Sequence, residues 1–511
     1  MSLPSVVRAR VWTDDDSGCA PEQRDGVLRA PVSPTAVCFS GGGTRSMAAT
    51  VGQLRGLAAL GVLDRVGYVS SVSGSAWATV PFAFASDRAV RLGAVTLPNQ
   101  LTLDHLGHVD PRSLLAPVTS RFGDRLAALA ADPTVPPDQV WCRAVGETFL
   151  KPHGLYDAAH PVTFGPAMGS LGPTLVGEFE TAACHRPVTA RPFPVVHATL
   201  NWPEARSPGQ HHLPFEYTPL YVGAPGRREL VDPTGATRTV GGAYVEPRGM
   251  NGEPSGRADV ADGRVEMVSA ASPFTLADLL GSSSALTTPD RDVSGYPHAR
   301  YRTTPAAASG PHTVNDLFTD GGDVDTHAVL GMLRRRIPAI VMFLNSVWPL
   351  GLDYDHAVWP EPGEIDPALP PLFGQPSARW PHNHVFPRSA YRELVDAWQR
   401  AKSAGRPLVA SARLPVLTNR WWGIEGGWDV SVCWVYNGLA RDWEARLPTA
   451  VRQLLAADEA DSLVARFPHY RTVGQNPGSL TRLTPLQANL LADLTGWGVL
   501  ESAHAVRDVL E

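Results

Sequence analysis

Charge is scarce in this chain. Asp, Glu, Lys and Arg together make up 18% of its 511 residues, below the roughly 25% of an average soluble protein. Long acidic or basic disordered tails do not fit that composition. There is no basic excess either: 44 Lys and Arg against 50 Asp and Glu leave a net charge of −6, the wrong sign for a general nucleic-acid binder. Cysteine is rare. Cys19, Cys38, Cys142, Cys184 and Cys433 are odd in number, widely spaced and without a CxxC, which supports neither a disulfide scaffold nor a structural zinc site. Long apolar runs are missing. Ile337 to Leu344 is interrupted by Pro338, whereas a membrane-spanning helix needs about 20 apolar residues. The first ten residues have no apolar core of secretory length and soon reach Asp14-Asp15-Asp16. The expectation is a cytoplasmic protein that meets membranes only peripherally. Internal repeats and low-complexity tracts are also absent.

Glycine and proline are plentiful, at 47 each, and predict many turns and long ordered loops. The length allows two to four domains or one large domain with insertions. Residues 1–30 are polar and turn-rich, a loose lead-in or an edge element. From Ala36 the pattern sharpens. Ala36-Val37-Cys38-Phe39 reads as a buried strand and ends at Ser40-Gly41-Gly42-Gly43. Met47, Val51, Leu54 and Ala58 then recur on one helical face, with Gly61 placed to cap it. Tyr68–Val72 reads as a second strand, and Ser73-Gly74-Ser75 turns into a helix starting near Ala76. This alternation opens a parallel α/β sheet. The middle is rich in loops but holds one good strand, Pro194–Leu200. Leu317-Phe318-Thr319 leads into Asp320-Gly321-Gly322, followed by a helix over about Thr326–Arg336 and a strand over Ala339–Leu344. Residues 345–465 are rich in Trp and Pro with helical patches. Leu483–Glu511 reads as helical, with Thr484 as N-cap before Pro485. The division predicted is a lead-in over 1–35, a core over 36–345 with an insertion at about 85–310, and a C-terminal extension over 346–511 packed on the same core.

Three places suit chemistry. Ser73 sits on a sharp strand-to-helix turn, where a hydroxyl stands clear of the sheet and a helix N-terminus favours developing negative charge. Its frame, Ser71-Val72-Ser73-Gly74-Ser75, replaces both outer glycines of G-x-S-x-G with serine, and an N-capping role is the plain alternative. The second place is Ser40-Gly41-Gly42-Gly43-Thr44-Arg45. Its spacing fits neither a P-loop nor a dinucleotide fingerprint; what fits is an oxyanion hole, with N–H groups near Gly42 and Gly43 aimed at a carbonyl oxygen. The third is Asp320-Gly321-Gly322, an acid at a strand end that is easily set in a cleft, or else an ordinary Asp-Gly turn.

Taken together these segments resemble the catalytic domain shared by cytosolic phospholipases A2 and fungal lysophospholipases (phospholipase B), a branch of the patatin-like hydrolases. That family shows S-G-G-G-x-R after its first strand, G-[LV]-S-G-[SG]-[ST]-W about thirty residues later, and D-[GS]-G far downstream. The chain has Ser40-Gly41-Gly42-Gly43-Thr44-Arg45, Val72-Ser73-Gly74-Ser75-Ala76-Trp77 and Asp320-Gly321-Gly322. Fainter likenesses lie at Val145–Leu150, Phe215–Pro219, Gly281–Ala285, Phe467–Tyr470 and Ala488–Leu491. The departures are Ser71 for glycine, Ala76 for a hydroxyl residue and Thr44 for the commoner aromatic. The resemblance covers about 36–345 and implies a patatin-like three-layer α/β/α core with a mainly parallel central sheet, a large insertion able to carry a lid, and a helical C-terminal extension. It implies ester hydrolysis by a Ser73–Asp320 dyad, an oxyanion hole at Gly42 and Gly43, and Arg45 toward a lipid phosphate. The substrate implied is a phospholipid or lysophospholipid at a membrane or micelle surface, with no metal, cofactor or nucleic acid. Animal members often carry a calcium-dependent lipid-docking β-sandwich, for which 35 residues ahead of the first catalytic strand are too few, so calcium is not expected in the chemistry. A lipid acyltransferase, an α/β-hydrolase triad completed by a later histidine such as His327, His469 or His504, and an inactive lipid-binding protein are the alternatives.

Other conspicuous groups receive plainer readings. Asp323, Asp325 and His327 imitate the start of a calcium loop, but Ala328 and Arg334 stand where that loop needs Gly and Glu. His211-His212 and His382-Asn383-His384 lack a third ligand at a recognised spacing. Arg334-Arg335-Arg336 is read as a solvated helix end that complements the dipole, and Arg420–Ile424 as core packing rather than an interfacial belt.

Overall fold

β1 (Thr35–Phe39) is buried along its whole length. Val37 and Phe39 enter one apolar core, Ala36 and Cys38 another on the opposite face. A strand apolar on both faces must be covered twice, as in a parallel sheet between two helix layers. The computed structural model describes residues 6–14, 19–28, 34–163, 184–203, 211–232, 234–259, 264–268, 273–287, 293–301, 316–457, 464–472 and 482–511. Within them β1 is followed by α1 (Gly43–Ala59), β2 (Tyr68–Val72) and α2 (Ala76–Phe84), the unit its hydrophobic pattern predicts. Gly61, with φ 71°, ends α1 in the left-handed conformation.

β3 (Phe193–Trp202), β4 (Asp316–Asp320), β5 (Ala339–Leu344), β6 (Leu408–Val416) and β7 (Trp428–Tyr436) complete the central sheet. The order is β3-β2-β1-β5-β7, all parallel, with β6 antiparallel beyond β7. α4 (Arg388–Ala404) lays Tyr391, Leu394, Val395 and Trp398 on one face of the sheet, an i, i+3, i+4, i+7 stripe. α5 (Pro485–Glu501) and α6 (Ala503–Leu510) lie with α1 on the other. α5 is apolar on nearly every side because it is buried on nearly every side. The Thr484 hydroxyl accepts from the Gln487 N–H and caps it, with Pro485 at the first helical position. The result is the three-layer α/β/α core expected from the motifs.

Several expectations are corrected. Of the two readings of the lead-in, loose or part of a sheet edge, the loose one fails: Val6–Thr13 is a strand that pairs with Arg264–Val268 through its first half and Ala243–Val245 through its second. It thereby joins strands of the insertion, which carry the sheet on from β3 in antiparallel fashion through His211–Tyr217 and Val222–Ala224. The helix expected over Thr326–Arg336 is confined to Leu330–Arg334. Ahead of it Ala328 is left-handed (φ 57°), and the Asp325 carboxylate accepts from the N–H groups of His327 and Leu330. The C-terminal extension is not only helical, since β6 and β7 belong to the sheet. Of the three arginines read as solvated, only Arg336 is exposed. Arg335 pairs with Glu22 (2.8 Å) and Glu216 (2.7 Å), Arg334 with Glu216 (3.2 Å), all buried. The two guanidinium groups hold the Glu216 carboxyl below its ordinary range, against the opposing effect of burial. Trp422 and Ile424 pack in the core as expected.

Candidate active site

Ser73 and Asp320 meet because two strands run toward each other along one edge of β3. β2 climbs that edge in parallel until Val72 stands opposite His197. β4 descends the same edge in antiparallel fashion until Asp320 stands opposite Ala198, the next residue. The strand ends therefore abut, and Ser73 Oγ donates to Asp320 Oδ2 at 2.6 Å. Both side chains are buried, with 8% and 7% exposure.

The turn at Ser73 is strained and stapled. Ser73 has φ 56°, a left-handed conformation that costs a non-glycine residue roughly 1–2 kcal/mol. The serines that replace glycine in the motif hold it. Ser75 Oγ accepts from the Val72 N–H (3.0 Å) and reaches Phe39 O (2.9 Å), and Ser71 Oγ pairs with Thr79 Oγ1 (2.7 Å). Gly74 is forced by contact: a Cβ there would overlap the carbonyl oxygen of Gly43. α3 (Leu276–Ser284) supplies a further brace, with the Ser73 N–H donating to Ser283 Oγ (3.0 Å) and Ser283 Oγ donating to His197 O (2.7 Å). The faint likeness at Gly281–Ala285 thus lies in the wall of the site.

Burial pushes the Asp320 carboxyl up to about 7, assisted by the nearby Asp323 charge; the Ser73 hydroxyl, the Gly322 N–H and Arg379 act in the opposite sense. Its second oxygen, Oδ1, accepts from Gly322 N–H at 2.8 Å, which fixes the rotamer and leaves Oδ2 toward Ser73.

The glycine loop packs directly on this pair. A Cβ on Gly41 would lie 3.1 Å from Ser73 Cβ. The N–H groups of Ser40 and Gly41 are tied to Phe343 O (3.0 Å) and Thr326 O (2.9 Å). Gly42 (φ 137°) and Gly43 (φ 60°) adopt conformations that favour glycine. Both line the cleft, and their N–H groups have no hydrogen-bond acceptor among the described residues. Arg45 lies beside the loop, in the wall of the cleft. It is buried, with Nε donating to Asn345 O (3.1 Å) and Nη1 to Tyr470 O (2.7 Å). Burial lowers its pKa to about 10, opposed by the neighbouring Asp366, so it stays a cation at neutral pH. A side chain on Gly42 would strike Arg45 Nη2. Arg45 thus ties the glycine loop to Phe467–Tyr470.

Trp77, Trp141, Trp348 and Trp380 line the same cleft. Trp77 stacks on Phe149 with 4.1 Å between centroids, so the likeness at Val145–Leu150 backs the wall from behind. Trp380 Nε1 donates to Gly322 O at 2.9 Å. Residues 366–368 and 379–380 of the cleft come from the Pro-rich stretch after β5, where no local pattern marks them. Asp323 did carry a signal, a second acid three positions after Asp320.

No imidazole among the described residues hydrogen-bonds Ser73 or Asp320. His197 Nε2 pairs with Ser70 Oγ at 2.8 Å. His469 Nδ1 meets Ser346 O at 3.0 Å, and burial holds its pKa down at about 4. His327 is enclosed beside Asp325, and His504 is exposed beside Asp508. His382 stacks on Trp421 rather than joining a ligand set.

No family model matches the chain. Cytosolic phospholipase A2 zeta of human and of mouse is 56% identical to it over 46 residues, 9% of this chain and 5% of theirs. Human cytosolic phospholipase A2 beta is 47% identical over 57 residues, 11% of this chain and 7% of its own. Among solved structures, human GIVD cytosolic phospholipase A2 matches 96% of this chain and 62% of its own at 15% identity and a TM-score of 0.45. The same protein in complex with methyl gamma-linolenyl fluorophosphonate matches 96% and 61%, at a TM-score of 0.41. The chain therefore spans less than two thirds of these solved chains, and its sequence matches cover only short segments of the curated relatives. The short sequence matches are to cytosolic phospholipases A2, the family that the glycine loop, serine turn and Asp-Gly-Gly resemble.

Proposed function

We propose that the protein is a serine ester hydrolase that cleaves fatty acyl esters of phospholipids or lysophospholipids, with Ser73 as nucleophile and Asp320 as general base. The observation that carries this reading is the 2.6 Å contact between a hydroxyl on a strained turn and a buried carboxylate whose pKa is about 7. An ordinary aspartate, near 3.8, is too weak a base at neutral pH; one near 7 is matched to the task. Ser73 Oγ attacks the ester carbonyl carbon while its proton passes to Asp320 Oδ2. The N–H groups of Gly42 and Gly43 receive the oxyanion, and one such donor is typically worth about 3–4 kcal/mol of barrier. Collapse expels the alcohol, which takes the proton from Asp320 and leaves acyl-Ser73. Water then attacks, Asp320 accepts its proton and returns it to Ser73 Oγ, and the fatty acid leaves. Arg45 supports this by holding the glycine loop in place. The aromatic walls suit an acyl chain, and the names of the relatives point to lipid esters.

The test is a phospholipid and lysophospholipid panel with wild type, Ser73→Ala and Asp320→Asn, alongside labelling by a fluorophosphonate. A stoichiometric adduct on Ser73, and loss of fatty-acid release in both folded variants, are expected. A folded Asp320→Asn protein with wild-type turnover would refute the dyad. Transacylated product on adding excess lysolipid would move the reading to an acyltransferase.

A further inference from the structure

Two guanidinium groups line the cleft around Ser73, those of Arg45 and Arg379, and they are differently placed. Arg45 is enclosed, donates to two backbone carbonyls and has Asp366 beside it. Arg379 stands at the mouth with 57% of its side chain exposed. Its carbon Cζ lies 4.8 Å from the ring centroid of Trp380, and that indole is pinned by its N–H to Gly322 O. Gly322 in turn donates to Asp320. The cation is thus held over a rigid platform two hydrogen bonds from the carboxylate. Its polar contact among the described residues is Asp323 Oδ1, at the outer limit of 3.5 Å. Asp323 does not depend on it, because Oδ2 accepts from Thr287 Oγ1 (2.5 Å) and Thr319 Oγ1 (3.1 Å). Stacking fixes the plane of a guanidinium and leaves its forked N–H edge for an anion. An anionic headgroup entering this cleft meets the carboxylates of Asp320 and Asp366 in its lining, so it needs a cation that the neighbouring acids hold only loosely, as Asp323 holds Arg379 at 3.5 Å.

We infer that Arg379, laid over the indole of Trp380, receives the phosphate oxygens of the substrate's headgroup; this rests on the ester-hydrolase reading of the same cleft. Arg379 is then the residue that separates phosphodiester-bearing lipids from neutral glycerol esters, while Arg45 holds the loop.

Binding to Ser73→Ala protein tests this without requiring turnover. The ligands are a short-chain lysophosphatidylcholine below its micelle concentration and the monoacylglycerol of the same chain. Charge-assisted hydrogen bonds of this kind imply that adding Arg379→Gln weakens the phosphate ligand about tenfold to a hundredfold. The neutral ligand should change by less than about twofold, and Arg379→Lys should fall between. Inorganic phosphate at millimolar concentration should not displace the lysolipid; displacement would make the site one for free phosphate and overturn the lipid assignment. Equal weakening of both ligands would reduce Arg379 to a packing role and overturn the inference. So would an unchanged affinity for the phosphate ligand, or no binding of either. Failure of the hydrolase reading shows separately, as wild-type protein that neither turns over esters nor forms a fluorophosphonate adduct.

Discussion

Replacing Asp320 by Asn should make the protein more stable as it makes it inactive, and the stabilisation should depend on pH. In the folded state the carboxyl has a pKa of about 7 against an ordinary 3.8. Between those values the folded protein holds one proton that the unfolded chain has released, so wild-type stability falls as pH rises, by about 1.4 kcal/mol per pH step. Stability associated with this group is fully present below the ordinary pKa and lost once pH has passed about 7. Asparagine removes the titration. The stability difference between Asp320→Asn and wild type should therefore shift in favour of the variant by about 3 kcal/mol between about pH 5 and about pH 8.5. For a chain of 511 residues that corresponds to a Tm shift of roughly 3 °C, with an unfolding entropy near 2.1 cal/mol/K per residue. Thermal unfolding of both proteins across that range measures it, and wild-type kcat/KM should rise through the same window as the base ionises. A Tm difference that does not change with pH would refute the claim that burial has made Asp320 a neutral-pH base.

Two structural predictions concern what holds this arrangement in place. Gly74→Ala must push the turn off the Gly43 carbonyl; we expect a loss of roughly 1–3 kcal/mol, typical of overpacking, and a fall in activity larger than the fall in stability explains, measured by unfolding and turnover on the same preparation. Arg335→Ala strips buried Glu22 of its ion-pair partner and leaves Glu216 with Arg334 alone, and should cost about 3–5 kcal/mol in denaturant unfolding, whereas Arg336→Ala, paired at the surface with Glu425, should stay within about 0.5 kcal/mol of wild type.

Local signals made the first half of the core legible. The apolar run at 36–39, the β-rich segment Tyr68–Val72, a helical period between them and Gly61 at its end leave few alternatives, and the three motifs bring the three parts of the site with them. What stayed hidden depends on partners distant in sequence. Val6–Thr13 is a strand because strands of the insertion, distant in sequence at Ala243–Val245 and Arg264–Val268, pair with it. β6 alternates buried and exposed residues weakly and contains Pro415, which reads against a strand until its place at the sheet edge is known. The arginine run at 334–336 has the composition of a solvated helix end; only the arrival of Glu216 from the insertion and Glu22 from the N-terminal segment turns two of its members inward. Arg379 and Trp380 lie in a loop-rich stretch with no period at all, so nothing in the local sequence connects them to Asp320.

The site's geometry is set by strand register, which yields a sharper test than removing the acid. Asp320 reaches Ser73 because β4 stops opposite Ala198 while β2 stops opposite His197; no flexible loop adjusts the gap. Both carboxylate oxygens are already committed, Oδ2 to Ser73 at 2.6 Å and Oδ1 to Gly322 N–H at 2.8 Å. Asp320→Glu keeps an acid in the same apolar surroundings but adds a methylene to a side chain clamped at both ends. The longer chain cannot keep both contacts without moving β4, and a displacement of about 1 Å in a reacting group can cost on the order of a hundredfold in rate. We expect kcat to fall by about that factor while the pH midpoint stays near neutrality, because desolvation acts on a glutamate as it does on an aspartate. The contrary outcome, kcat within about tenfold of wild type, would mean that the carboxylate needs only to be buried nearby, and the abutting strand ends would lose their role in setting the rate.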